Sequence, residues 1–232
     1  MNRISALLLA GVAAVAVSSA AHAADLIINE PAPVVGVVDQ TGNWDGAFVG
    51  VFAGTAWGTA SNDPDVYNYV NNDDFDVDGW LAGVDAGVNF HLADGIVAGI
   101  VGDIAWTDLA GSAIDSNVLV NNDEFALGVN WQGSVRGRLG FDGGAFMPYL
   151  TAGIAFANAT LTDDYTDTND SQTLVGWTAG AGVEFAATDN VSIDLQYRYN
   201  DFGNADFDLG GGTVPNVGLT SQQVTAGLHF RF

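Results

Sequence analysis

The chain has no cysteine, which excludes a disulfide framework, a reactive thiol and a thiolate metal centre. It has no lysine and only five arginines against 28 acids, for a formal charge of −23. Affinity for nucleic acid rests on neutralising phosphate charge, so such a polyanion excludes that partner class. Histidine is scarce too. Of three, His22 falls in the leader described below, which leaves His91 and His229. A hydrolase triad needs a serine, a histidine and an acid in register. Neither histidine has an evident serine partner, so the chain is not expected to be an enzyme. No apolar run reaches the roughly 20 residues that a bilayer-spanning helix needs. Disorder is the usual reading of so strong a charge. Yet 48% of the residues are hydrophobic and 11% aromatic, a content that disordered chains lack. The charge must therefore be segregated from an ordered apolar part.

Arg3, the apolar stretch Ile4 to Val17 and the small-residue site Ala21-His22-Ala23 make up a secretory signal peptide, residues 1–23. Residues 24–43, with prolines at 31 and 33 and no periodicity, read as a flexible N-terminal arm. The rest, 44–232, reads as one β-domain.

Residues alternate at period two in eight segments of this domain. From Trp80 to Phe90 the even positions are Trp, Ala, Val, Ala, Val, Phe, and the odd ones include Asp85 and Asn89. From Trp131 to Phe141 the odd positions are Trp, Gly, Val, Gly, Leu, Phe, against Gln132, Ser134, Arg136, Arg138 and Gly140. The segments 47–57, 96–106, 148–156, 175–185, 191–199 and 224–232 follow the same rule. Each has about ten residues, the length at which a tilted strand crosses a bilayer. Tight turns at 92–95, 142–144 and 188–190 alternate with long connections at about 58–76, 107–123, 158–173 and 203–220. An even number of strands, with short turns on one edge and long loops on the other, is the plan of an outer-membrane barrel. The fold class expected is all-β: an eight-stranded antiparallel transmembrane barrel, its loops outside the cell and both termini in the periplasm.

Alternation alone does not say which face meets lipid. The bulky face carries Trp57, Trp80, Trp106, Trp131 and Trp177. All of these except Trp131 sit near the long-loop ends of their segments, where a headgroup girdle belongs. The small, polar face carries Arg136, Arg138, Arg198 and Arg231, together with Asp85, Asp103, Glu184 and Asp194. Four cations and four anions on an inward face suggest a paired network filling the lumen, because desolvated charge persists only when paired. A solvated lining without specific pairs is the alternative.

The loops are acidic, densest at Asp73, Asp74 and Asp76 and at Asp163, Asp164, Asp167 and Asp170. Their spacing fits no EF-hand, so they are only weak metal candidates. Divalent cations bridging them to lipopolysaccharide phosphates is the expected arrangement. No cofactor is expected.

The blocks WDGAFVGVFAGTAWG (44–58), GWLAGVDAGVNF (79–90), WQGSVRGRLGF (131–141), PYLTAGIAFA (148–157), VGWTAGAGVEFA (175–186), QYRYNDFG (196–203) and the closing GLHFRF resemble the small porin-like outer-membrane proteins of alphaproteobacteria, whose barrel is OmpA-like. The resemblance implies an integral outer-membrane protein, variously a porin, a surface antigen or a haem binder. It also implies that Phe230 and Phe232 form the signal read by the barrel-assembly machinery. Val101 and Gln196 stand where similar proteins often carry glutamate, and Phe48 and Phe52 where a polar lumen residue is usual. These departures argue against a wide, wet pore. A monomer with a structural or surface role and a plugged or very narrow lumen is the leading expectation. A small cation-preferring porin comes second and a ligand- or host-binding surface protein third.

Overall fold

The computed structural model describes residues 44–61, 75–115, 123–163, 168–208 and 213–232. The signal peptide, the arm at 24–43 and the candidate acids Asp73, Asp74, Asp164 and Asp167 lie outside the described residues. Eight strands run β1 (Gly46–Ser61), β2 (Phe75–Ala93), β3 (Ile96–Asp115), β4 (Asp123–Phe141), β5 (Phe146–Asp163), β6 (Thr168–Ala186), β7 (Val191–Asp208) and β8 (Thr213–Arg231). Every neighbouring pair is antiparallel, and β8 pairs with β1 to close the barrel. Closure is what hydrocarbon demands, since an open edge would leave backbone N–H and C=O groups without partners.

At one edge all three connections, 94–95, 142–145 and 187–190, are tight. Gly95 and Gly144 adopt positive φ, 76° and 79°, which glycine tolerates without a Cβ penalty. The β2–β3 and β4–β5 turns are tied together by the Asp142 amide, which donates to the Gly95 carbonyl at 2.9 Å.

The strands are longer than their alternation predicts, at 16 to 20 residues. The expected long loops at 107–123, 158–173 and 203–220 are largely strand, and the connections between are 62–74, 116–122, 164–167 and 209–212. In β4 and β7 bulges hid this, because an extra residue in one strand switches every later side chain to the other face. β5 and β6 keep their mutual register throughout, and only the polarity of their two faces changes. In β4 the register against β5 shifts between Val129 and Trp131. Leu127 and Val129 point inward on one side of the shift, and Gln132, Ser134, Arg136 and Arg138 on the other. In β7, shifts between Asp201 and Asn204 and between Ala205 and Phe207 move the inward set from Phe202 to Phe207.

The bulges coincide with an inversion of polarity. On the short-turn side, large apolar residues such as Val84, Ile100, Leu139, Leu150 and Ile154 face outward and polar residues face in. Beyond the bulges the interior is apolar, with Ala60, Val77, Leu109, Leu127, Leu161, Leu174, Phe207 and Leu219 all buried. The exterior there carries Asp76, Asp78, Asp108, Asn130, Ser171, Thr173, Asp206 and Asp208. The first pattern suits lipid and the second suits water. Trp80, Trp106 and Trp177, each more than half exposed, mark the border, and Phe90, Phe141, Phe146, Phe185 and Phe230 mark the other edge of the apolar band. The spanning segments therefore run from the tryptophans to the phenylalanines, as from Trp80 to Phe90.

Candidate functional site

The chemistry of the barrel is concentrated in its interior. Two carboxylates organise it. Asp103 on β3 accepts hydrogen bonds from Arg136 Nη2 at 2.7 Å, Arg198 Nη1 at 2.8 Å and Ser134 Oγ at 2.5 Å. Arg136 also donates from Nε to Ser134 at 2.8 Å and from Nη1 to Gln196 at 3.1 Å. Glu184 on β6 accepts from Arg138 Nη2 at 2.5 Å, Arg231 Nη2 at 2.7 Å and Ser192 Oγ at 2.5 Å. Both carboxylates and all four guanidiniums are buried.

A bridge joins the two clusters. Tyr149 on β5 donates to Asp194 at 2.6 Å and accepts from Gln196 at 2.7 Å. The Arg138 guanidinium lies 3.7 Å from the Tyr149 ring centroid, a cation–π contact in a desolvated setting. Gly182 makes room for Tyr149, since a Cβ there would sit 2.4 Å from the phenol oxygen.

All eight residues of the expected lumen network face this interior, with one change of partner. Asp85 pairs with His229 Nε2 at 3.1 Å rather than with an arginine. His229 Nδ1 lies 3.3 Å from Glu184, so the histidine is part of the network. Parity placed Asp85 inward but could not choose its partner, which depends on the β1–β8 closure that sets His229 opposite Gly50. Ser134, Ser192, Tyr149 and Gln196 also belong to the network. The sequence offered only their inward parity as a signal.

Glu184, Asp194 and His229 bring three donor atoms within 4.8 Å of one another, a metal-like spacing. The chemistry does not fit a metal. Arg138, Arg231 and Ser192 already occupy Glu184 and Tyr149 occupies Asp194, so a cation would displace guanidiniums that need these carboxylates. Of the loop candidates that are described, Asp170 accepts from Gln172 Nε2 and from the Asp208 amide, both at 2.9 Å. Those bonds hold its pKa below the usual carboxylate value, the Gln172 bond first. No cluster of ligands forms around Asp170 or Asp76 among the described residues.

Phe48 and Phe52, unusual in a lumen, lie over glycines of β2. Phe48 is paired with Gly87 and Phe52 with Gly83, and a Cβ at either glycine would come within 2.7 Å of the ring. With Val101, Arg136 and Tyr149 they line a cavity of about 20 Å³, room for roughly one water. Above it, Phe52, Ala56, Leu81, Ala105 and Phe202 begin the apolar interior.

The tryptophan girdle has a further member, one that alternation places on the bulky face but not near a long-loop end. Trp131 pairs with Trp106 across β3 and β4 and meets Phe156 edge-on at 6.1 Å. Its pairing with Trp106 puts it at girdle height, and β4 continues beyond the Asn130 bulge to Asp123. Trp177 packs on Tyr199 at 5.4 Å, and Trp57 is half-buried at the same level. Phe230 and Phe232 stand outward, ring centroids 5.2 Å apart.

The short-turn mouth holds a further group that the sequence reading left aside. Trp44, fully buried, packs with Val97, Met147 and Ala186, and its Nε1 donates to the Gly144 carbonyl at 3.1 Å. Arg231 lies 4.7 Å from its ring centroid. Next to it, Asp45 accepts from the His91 amide at 2.7 Å and meets His91 Nδ1 at 2.8 Å. His91 Nε2 lies 3.1 Å from Asp142. These two carboxylates, Asp45 first, hold the His91 pKa above its ordinary value.

Residues 7–232 match the family model of the outer membrane protein beta-barrel domain. The chain is 35% identical to the 25 kDa outer-membrane immunogenic protein of Brucella abortus, over the whole of both chains. It is 33% identical to a 22 kDa outer membrane protein of Rhizobium leguminosarum, covering 84% of this chain and 81% of that one. The crystal structure of the outer membrane protein OprG from Pseudomonas aeruginosa shares the fold at 13% identity and a TM-score of 0.52, covering 84% of this chain and 99% of OprG. An interior of paired charges, a lipid-facing band edged by aromatics and these relatives lead to one assignment: the chain belongs to the outer-membrane β-barrel protein family and resides in the outer membrane.

Proposed function

We propose that this protein serves a structural and surface role, as a plugged barrel that spans the outer membrane and carries an acidic extension beyond it. The observation that supports this most is the filled interior: a polar network spanning the lumen, capped by an apolar collar from Phe52 to Leu219. Eight strands leave a bore that side chains can fill, and here two incompatible fillings lie in series. On this reading the short turns face the periplasm and the extended strands face outward, since short turns are periplasmic in such barrels. The extension runs about nine residues past the girdle in β3, β6 and β7. At about 3.3 Å per residue and a tilt near 40° it stands roughly 20–25 Å above the hydrocarbon. Its acidic exterior then lies among lipopolysaccharide saccharides and phosphates, with divalent cations between like charges. The immunogenic description of the Brucella relative fits a surface-displayed extension. Phe230 and Phe232 serve as the assembly signal.

Reconstitution in planar bilayers tests the reading. The plugged barrel leaves the membrane silent at moderate voltage. Steady, salt-dependent, cation-preferring openings would establish the porin instead.

A further inference from the structure

Trp44 and Asp45 precede β1, yet Trp44 shares a buried cluster with Val97 of β3 and Met147 of β5, against which Ala186 of β6 packs. In a closed ring of eight strands β5 lies opposite β1, so these residues cross the short-turn mouth rather than follow its rim. A closed circuit of contacts holds them there. Trp44 Nε1 donates to the Gly144 carbonyl, the Gly144 amide donates to Asp142 Oδ1 at 2.8 Å, Asp142 Oδ2 meets His91 Nε2, and His91 Nδ1 meets Asp45, which adjoins Trp44. We propose that Trp44 and Asp45 form a strap across this mouth, latched by a doubly bonded His91 and loosened when the imidazole loses a proton.

The chemistry of the ring requires this. A carboxylate only accepts, so an imidazole bonded to two of them must carry N–H on both nitrogens, which is the cationic form. Neutral imidazole keeps one N–H, and its other nitrogen turns a lone pair toward a carboxylate. One bond of the circuit then becomes a repulsion. The raised pKa of His91 agrees with this geometry.

Among the described residues, the charged groups around the latch are these. Asp45 comes from the strap and Asp142 from the β4–β5 turn, with Asp94 in the adjoining β2–β3 turn. Arg231 of β8 lies over the Trp44 ring and within electrostatic reach of Asp45, and it is itself bonded to Glu184 of β6. Arg231 keeps its charge throughout, and His229 reaches this circuit only through Glu184 and Arg231, so among the described links His91 is the one that changes near neutral pH.

The test uses the full mature chain folded in micelles, with ¹⁵N-labelled tryptophan and the Trp44 indole N–H assigned by Trp44→Phe. Its hydrogen exchange is measured at about pH 5.5 and about pH 8.5, either side of the ordinary histidine value. His91→Arg, cationic at both pH values, is the reference for intrinsic exchange, and heat-modifiable mobility confirms that each variant is folded. Expected is wild-type protection equal to His91→Arg at the lower pH and about fivefold weaker at the higher, the scale of one partly exposed ion pair. His91→Gln should be loosened at both. Equal exchange of wild type and His91→Arg at both pH values would overturn the latch, as would His91→Gln matching wild type at the lower pH. Should His91→Arg fail to fold, equal protection of wild type and His91→Gln at the lower pH decides against it alone.

Discussion

Asp103 is the carboxylate that both Arg136 and Arg198 touch, at 2.7 and 2.8 Å. Replacing it with asparagine keeps the shape and removes the charge. Two guanidiniums, each only 3% exposed, then lie in the lumen without their counter-ion. Removing one partner of a buried pair costs about 3–5 kcal/mol, mostly as the penalty of stranding the other charge. Asp103→Asn strands two, although the amide oxygen still accepts one hydrogen bond and Gln196 still accepts from Arg136. The expected loss is therefore about 4 kcal/mol, read as a shift of the denaturant midpoint for reversible unfolding in phospholipid vesicles. The triple variant Asp103→Leu, Arg136→Leu, Arg198→Leu supplies the contrast. Replacing a whole buried ionic cluster with apolar groups is often neutral, so it should recover most of the loss. A drop below about 1 kcal/mol for Asp103→Asn would mean that water already solvates these arginines. The plugged interior would then be wrong, and the pore would regain the advantage.

Other perturbations probe the remaining layers. Gly182→Ala places a Cβ 2.4 Å from the Tyr149 oxygen, so it should break the Tyr149–Asp194 bond and cost about 1–3 kcal/mol in the same unfolding assay. Leu109→Ala opens the fully buried collar and should cost about 2–5 kcal/mol, without creating conductance while the network below is intact. Asp45 and Asp142 raise the His91 pKa, so its stabilising effect is complete below the unfolded value near 6.5 and fades as pH rises through the higher folded value. The melting-temperature difference between wild type and His91→Gln should accordingly shrink from about pH 6 to pH 9. Brominated lipid should quench Trp80, Trp106 and Trp177 more than aqueous iodide does, because all three stand outward at the edge of the apolar band.

The eight strands, their order and the face each turns inward were legible wherever alternation is unbroken, as from Trp80 to Phe90. Composition made this possible: a lipid-facing residue and its lumen-facing neighbour differ in both size and polarity. Legibility stopped at the bulges. Asn130 and the shifts at 201–207 change parity within a single strand, and a period-two reading ends there. The same break coincides with the inversion of polarity, so the apolar interior of the extension looked like irregular loop. Pairing within the lumen was less legible than membership. Arg136 and Asp103 lie on adjacent strands with Val101 opposite Arg136, but Arg138 on β4 reaches past β5 to Glu184 on β6, and Arg198 on β7 reaches across the bore to Asp103 on β3. Such contacts depend on the curvature of the closed barrel. Trp44 was invisible for a related reason, since its cluster draws on β3, β5 and β6, none of them a neighbour of β1.

The order of the two interiors bears on why the barrel should be silent. A paired network alone is a weak barrier, because water that enters can solvate each charge and let the pairs part. An apolar collar alone would resist water but would leave the four arginines below without carboxylates if the lumen remained polar and unpaired. In series each covers the weakness of the other. On the proposed plugged reading, Phe52, Ala56 and Leu81 keep bulk water from reaching Arg136 and Arg198 from the extended side, as a hydrophobic constriction blocks ions by dewetting. Dry surroundings in turn strengthen the attraction within each pair. On that reading, opening a path requires breaching both layers together. A variant in the collar and a variant in the network should each destabilise the protein and leave it closed, and only their combination should conduct.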